Sequence, residues 1–182
     1  MDMKETFLRR TQIFDGHVVH LFVDDVRLPN GDTAQREIVT HGGGACVAAL
    51  TRQNELLLVR QFRYAFGEVL LEIPAGKLER GEDPFEAMKR EQREETGTHA
   101  DRYVSLGVTY PTVGYDDEKI YIWACRVTEP AGDQHLDPDE FLEVEKLDLW
   151  EAERMVLADQ IRDGKTQIAI LKTAALVRAG QL

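Results

Sequence analysis

The sequence predicts an α/β or α+β domain in which strands are enclosed by helices, preceded by a β-hairpin arm at the N-terminus. Three observations carry this prediction. Short apolar runs of strand length recur between residues 45 and 147, one helix with well-marked ends interrupts them, and two helical segments close the chain. Strands and helices mixed in this way in a chain of 182 residues call for sheet and helix layers around a shared core.

The arm comes first. Residues 17–28 (HVVHLFVDDVRL) partly alternate apolar and polar side chains, Asn30-Gly31 supplies a turn, and residues 34–40 (AQREIVT) return as the partner strand. Residues 1–41 are therefore expected to form a β arm and residues 42–182 the main domain. Beyond His41 and three glycines, residues 45–50 and 55–62 are apolar enough for buried strands, separated by a polar turn at 51–54. Further strands are expected at 69–73, 103–108, 119–127 and 141–147.

The first helix is delimited by Asp83 as N-cap, Pro84 at its first position, Glu86 completing a capping-box pattern and Gly97 just past its end. Two more helices are expected at 150–163 and 166–178. Ile168, Leu171, Ala175 and Leu176 form the apolar stripe of the last one.

Hydrophobic content of 43% with 30% charged residues is that of a globular chain, and no apolar run approaches the length a bilayer requires. The first residues carry no apolar stretch followed by a small-residue cleavage site, so a soluble, cytoplasmic protein is expected. Cys46 and Cys125 sit in strand-like runs without metal-ligand spacing and are expected to be buried thiols. A net charge of −11 argues against nucleic acid or an anionic membrane as partner. If the substrate is a phosphate ester, this acidic protein must interpose cations, either metal ions or well-aimed arginines.

Glu91 and Glu95 lie four residues apart on one face of the Asp83-capped helix, with Glu94 one residue round. Like charges at that spacing cost roughly 0.2–0.5 kcal/mol per pair, which a bound divalent cation would reverse. Hard oxygen ligands suit Mg²⁺ or Mn²⁺. From the helix alone, a solvated face with Glu86 paired to Lys89 or Arg90, and Arg90 to Glu94, is the simpler explanation. The preceding loop, with Gly76, Gly81 and Glu82, favours the metal, because it can fold back and offer a backbone carbonyl as a further hard ligand.

Together, Gly76, Glu82, Arg90, Glu91, Glu94, Glu95 and Gly97 resemble the Nudix box, Gly-x5-Glu-x7-Arg-Glu-U-x-Glu-Glu-x-Gly-U, where U is a bulky apolar residue. The two departures are Gln92 and Thr98 at the U positions, which puts local packing rather than chemistry in question. The resemblance implies a Nudix fold, mixed β-sheets sandwiched between helices, with the box as loop–helix–loop. It also implies roles. Glu91, Glu95 and the carbonyl of Ala75 would be metal ligands, Glu94 a further ligand or water-orienting carboxylate, Arg90 a partner for the acidic cluster, and Glu82 a support for the loop.

Outside the box the chain is similar to the ADP-ribose and nucleoside-diphosphate-sugar pyrophosphatases. The similarity runs through Arg36-Glu37-Ile38, Val59 to Arg63, Leu71 to Gly76, the loop 110–118 and the acidic loop 136–140. It implies a homodimer whose N-terminal strands are exchanged or shared at the active site. The substrate-binding residues it implies are Arg63, Glu72, Glu118 and Arg36, the last from the opposite subunit, with His17 stacking on the base. The residues alone leave Arg36 open to ordinary pairing with Glu37 or an aspartate, and His17 open to simple exposure. Relatives acting on ADP-ribose usually carry a proline before the glycine of the 110–118 loop, where this chain has Val113 before Gly114, so sugar specificity stays open. The resemblance also implies a general base at Glu140 in the acidic loop, with Asp139 as alternative. The implied activity is Mg²⁺-dependent cleavage of a nucleotide sugar. Hydrolysis of nucleoside triphosphates or dinucleoside polyphosphates, or a non-catalytic ADP-ribose sensor, are the alternatives.

Overall fold

The computed structural model describes residues 2–128, 131–136, 138 and 140–182. The chain forms two compact units, one comprising the residues as far as Gly43 with Tyr110–Lys119, the other Gly44–Thr109 with Ile120–Leu182.

The first unit is an antiparallel three-stranded sheet, β1 (Thr6–Asp15), β2 (Val19–Arg27) and β3 (Thr33–His41), in that spatial order. The expected hairpin is β2–β3. Its connection is a five-residue loop in which the Gly31 N–H donates to the Leu28 carbonyl at 2.9 Å and Gly31 adopts φ 95°, a conformation that glycine reaches without steric cost. Strand β1 is additional to the sequence reading. All ten of its residues are exposed, so no burial imposes an apolar alternation on TFLRRTQIFD. Cross-strand charge pairs hold it to β2: Arg10 donates twice to Asp24, both at 2.7 Å, and Arg9 pairs with Asp25 at 2.8 Å. The loop 110–119 joins the same unit through Val39, whose N–H donates to the Tyr115 carbonyl at 2.7 Å.

The second unit is built on a mixed sheet. Its strands are β4 (Gly44–Leu50), β5 (Glu55–Arg63), β6 (Glu68–Glu72), β7 (Ala75–Lys77), β8 (Tyr103–Thr109), β9 (Ile120–Arg126) and β10 (Leu142–Asp148). The main order is β10-β5-β4-β9-β8, with β6 paired to β5 and β7 to β4. Only the β4–β9 pair is parallel among the described strands. Strand β4 is buried throughout, which is why its sequence, GACVAAL, is a continuous apolar run.

Its side chains divide by alternation between two cores. Cys46, Ala48 and Leu50 pack with residues of α2 (Leu149–Leu157) and α3 (Gly164–Arg178), while Ala45, Val47 and Ala49 pack with Ala87 and Met88 of α1 (Pro84–Thr96). The sheet is thus sandwiched between α1 and the α2–α3 pair. Both cysteines are fully buried free thiols, and burial pushes each up to about 12.

Helix α1 has the expected ends: Asp83 accepts from the N–H groups of Phe85 and Glu86 at 3.0 and 3.3 Å, and Gly97 closes it at φ 64°. Glu86 does not complete a capping box; its carboxylate pairs with Lys89 at 2.8 Å. Helix α2 ends at Leu157, short of the expected 163, because the chain turns through Asp159 at φ 56° and sends Ile161 into the core. The apolar stripe expected on α3 is also corrected. Leu171 and Ala175 are exposed, and the buried face is Thr166, Ala169, Ile170, Thr173 and Ala174. Small residues let α3 lie close to the sheet, and larger side chains flank that contact.

Candidate active site

Three stretches of the second unit hold the candidate residues of the Nudix-box region: the Glu91–Glu95 face of α1, the segment from Glu72 to Lys77, and the start of α3. Helix periodicity places Glu91 and Glu95 one turn apart. Strand β7 pairs with β4 and brings the Ala75 N–H to Glu95 Oε2 at 3.0 Å. Gly76 lies against Glu91. A Cβ at that position would sit 1.9 Å from Glu91 Oε1, so a side chain there and the observed Glu91 carboxylate exclude each other.

Negative charge in this patch is only partly compensated. Glu95 is 1% exposed and its carboxyl is pushed up to about 9, first by burial and then by the charges of Glu140 and Glu91. Burial also raises Glu91, opposed by Arg90 and reinforced by Glu94 and Glu140. The single cation hydrogen-bonded to Glu91 among the described residues is Arg90. It donates to Glu91 at 2.7 Å and to Glu94 at 3.0 Å through Nη1, and to Glu82 at 3.0 and 3.1 Å through Nε and Nη2. Glu82 also accepts the Glu79 N–H at 2.9 Å, which closes the loop before α1.

The beginning of the acidic loop docks on the end of α1. Gly132 N–H donates to the Gly97 carbonyl at 2.7 Å, His135 N–H to Glu94 O at 2.9 Å and Gln134 to Glu95 O at 2.5 Å, occupying carbonyls the helix leaves open. Glu140 follows this loop and acts by charge on both Glu91 and Glu95. Asp139 lies outside the described residues.

Arg63, at the end of β5, donates to Glu72 at 2.6 Å through Nε and 2.8 Å through Nη2. Glu72 is 2% exposed, so its carboxylate is reached from solvent only by way of its partners. The first unit holds the remaining candidates. Arg36 pairs with Glu5, at 3.0 Å through Nε, rather than with Glu37 or an aspartate. His17 is exposed, and Glu118 faces His41 at 3.2 Å.

Sequence reasoning missed Lys165, whose ammonium meets Glu72 and, at 3.0 Å, Asp163. The available signal was a lysine in the first turn of a helix, where the dipole disfavours a cation. It also misjudged Gln92 and Thr98. Both are buried, and Gln92 donates to Thr98 at 3.1 Å while accepting from Tyr103 at 2.9 Å. One polar departure satisfies the other.

The family profile described as NUDIX domain matches residues 40–168. The chain belongs to the Nudix family. Its Nudix box is Gly76–Thr98, the loop, helix and turn just described. The chain is 38% identical to the ADP-ribose pyrophosphatase of Bacillus subtilis (strain 168), over 92% of this chain and 91% of that protein. It is 40% identical to the methanol dehydrogenase activator of Bacillus methanolicus, over 92% and 91%. Identity to the GDP-mannose pyrophosphatase of Yersinia enterocolitica is 34%, over 87% of each. A crystal structure described as an ADP compounds hydrolase superposes with a TM-score of 0.82 over 98% of this chain and 97% of that one, at 19% identity, which establishes the shared Nudix fold.

Among the described residues no three His, Cys, Asp or Glu side chains gather as a ready-made metal cage. The donors at the Nudix box are two carboxylates, Glu91 and Glu95, beside the Ala75–Gly76 backbone. This is a sparse hard-oxygen set of the kind a hard divalent cation accepts while keeping several waters. The space that Gly76 leaves for Glu91, and the burial of Glu95 without a cation hydrogen-bonded to it, fit such an ion.

Proposed function

We propose that the chain is a Mg²⁺-dependent hydrolase of nucleoside diphosphate sugars such as ADP-ribose, releasing a nucleoside monophosphate and a sugar phosphate, with Mn²⁺ able to substitute. The observation that carries this reading is the pair of carboxylates, half-buried Glu91 and buried Glu95, held against the Ala75–Gly76 backbone. Their charges have no full protein compensation, which is what a divalent cation would supply. Relatives named for ADP-ribose and GDP-mannose support the substrate class.

Glu91, Glu95 and the Ala75 carbonyl would hold the metal, which when bound neutralises phosphate charge and acidifies an attacking water. Arg90 restrains Glu91 and Glu94, so those carboxylates are pre-aimed. Glu94 then orients water or completes the ligand set. Glu140 serves as general base, with Asp139 as the alternative, because Glu140 is close enough for its charge to act on both Glu91 and Glu95. Arg63 meets a substrate phosphate, and Glu72 acts through Arg63.

The arm, residues 1–41, acts as the dimerisation element and residues 42–182 as the catalytic domain. Strand β1 exposes Phe7, Ile13 and Phe14, each more than half exposed, and a second subunit would cover them. In that dimer Arg36 exchanges Glu5 for substrate, and His17 and Glu118 contribute to the base and sugar side. A cytoplasmic location suits this activity. No described helix is long and apolar enough to cross a membrane, and a net charge of −11 disfavours nucleic acid.

The test is a substrate panel with purified protein and Mg²⁺: ADP-ribose, GDP-mannose, ATP and a dinucleoside polyphosphate. The proposal expects the highest kcat/KM on a nucleotide sugar and loss of turnover in chelator. A preference for ATP or the dinucleotide would replace the substrate assignment, and tight ADP-ribose binding without cleavage would replace the enzyme with a sensor.

A further inference from the structure

Helix α3 begins with an unusual residue for its place. Lys165 follows the N-cap Asp163 by two positions, and its ammonium lies at the positive end of the helix dipole. Its side chain is only 12% exposed. A buried ammonium has three donors to satisfy. Glu72 and Asp163 provide acceptors. Burial acts to lower the Lys165 pKa, and the charges of Asp163 and Glu72 outweigh it, so the residue is charged in the folded protein.

Glu72 is therefore one carboxylate shared by two cations. Oε1 accepts Arg63 Nε at 2.6 Å, and Oε2 accepts both Arg63 Nη2, at 2.8 Å, and Lys165. Burial would raise Glu72, but Arg63 and Lys165 together bring it below its ordinary value. The neighbouring residues repeat the grip: Thr166 Oγ1 accepts the Ile73 N–H at 2.9 Å. Two consecutive residues of α3 thus hold two consecutive residues of the segment that runs into Ala75. With Nε and Nη2 committed, the Arg63 Nη1 has no hydrogen-bond partner among the described residues.

Stability alone is a poor explanation for this cluster. Buried ion pairs are commonly no more stabilising than well-packed apolar residues of the same volume, and a first-turn lysine adds an unfavourable dipole interaction. What the cluster supplies is a fixed guanidinium plane. We propose that Lys165 is a positioning residue for substrate binding: by sharing the Glu72 carboxylate with Arg63 it keeps that carboxylate fixed, and so holds the Arg63 Nη1 edge available to a substrate phosphate. This inference rests on the reading of Arg63 as a phosphate contact given above.

Lys165→Met tests it, with Lys165→Gln, which keeps a donor without charge, as the second variant if the first does not fold. The expected result is a KM for ADP-ribose raised about 10- to 100-fold, the scale of one charge-assisted hydrogen bond, with kcat at saturating substrate changed less than about threefold. Mn²⁺ affinity of the substrate-free protein should be unchanged, and Lys165→Arg should restore most of the KM. In an Arg63→Ala background, Lys165→Met should add nothing further to KM, because its effect passes through Arg63. An unchanged KM in the folded variants, an equal KM rise without Arg63, or weakened Mn²⁺ binding would overturn the proposal. One readout needs no substrate. The Arg63 Nε–H resonance should exchange slowly in the wild type and lose that protection in Lys165→Met; retained protection would overturn the positioning role even if no nucleotide sugar proved to be cleaved, an outcome that would count against the proposed function alone.

Discussion

Glu95 is buried beside Glu91 and within the field of Glu140, and each of these facts works against its ionisation. Its folded pKa of about 9 lies above the ordinary 4.5, so the metal-free folded state binds the proton more tightly than the unfolded chain. The stability this proton confers is complete below about pH 4.5 and is lost as pH rises toward about 9. Glu95→Gln, which imitates the protonated acid, should therefore stabilise the metal-free protein in chelator at pH 8 and leave it little changed at pH 5. Thermal melting at the two pH values measures this; equal stability of variant and wild type at pH 8 would contradict the burial argument. Gly76 makes a separate point. Gly76→Ala should leave the fold intact, since its Cβ meets the mobile end of Glu91, yet drive that carboxylate away. Turnover should fall by at least about 100-fold, roughly 2.7 kcal/mol of transition-state stabilisation, with far-ultraviolet dichroism unchanged.

Helix α1 shows how elements tolerate departures from a family pattern. Gln92 and Thr98 occupy positions where the Nudix box has bulky apolar residues, and in the fold they are partners, with Thr96 bonded to Thr98 at 2.7 Å and Tyr103 to Gln92. Gln92→Leu alone removes the acceptor of the Tyr103 O–H, which keeps only the Ala100 N–H as a partner, and one Thr98 contact, and should cost about 1–3 kcal/mol in urea denaturation. Adding Thr98→Val should recover part of that loss; strict additivity of the two would refute the coupling. Such pairing is invisible in the sequence, because it joins positions through space. Strands β2 to β6 and β8 to β10 were legible because each has an apolar pattern that burial requires, and α1 because its caps are written in Asp83, Pro84 and Gly97. Strand β1 was not legible, being exposed on all ten residues, nor β7, which is three residues long. The buried face of α3 misled because, apart from Ile170, its contacts are made by alanines and threonines, while the larger Leu171 points outward.

Across the molecule, the box was readable because its carboxylates fall on one turn of one helix, whereas Lys165 and Glu72 are 93 residues apart in the chain and meet only after folding. The acidic charge also sorts itself at this scale. Arg9, Arg10, Arg36, Arg60, Arg63, Arg90, Arg154, Arg162 and Arg178 are each engaged by a carboxylate. Assembly is the second whole-molecule expectation. Sedimentation should give twice the 20.7 kDa chain mass, and Ile13→Asp with Phe14→Asp should return it to the single-chain mass. A monomeric wild type would remove the shared-arm account. The central claim is hydrolysis of a nucleotide-sugar pyrophosphate by carboxylate-held metal. Phosphorus NMR of ADP-ribose with protein and Mg²⁺ follows it directly. The diphosphate signals should give way to two monophosphate signals with the wild type, and persist with Glu95→Gln or in chelator. Persistence with the wild type, or equal cleavage by Glu95→Gln, would contradict the account.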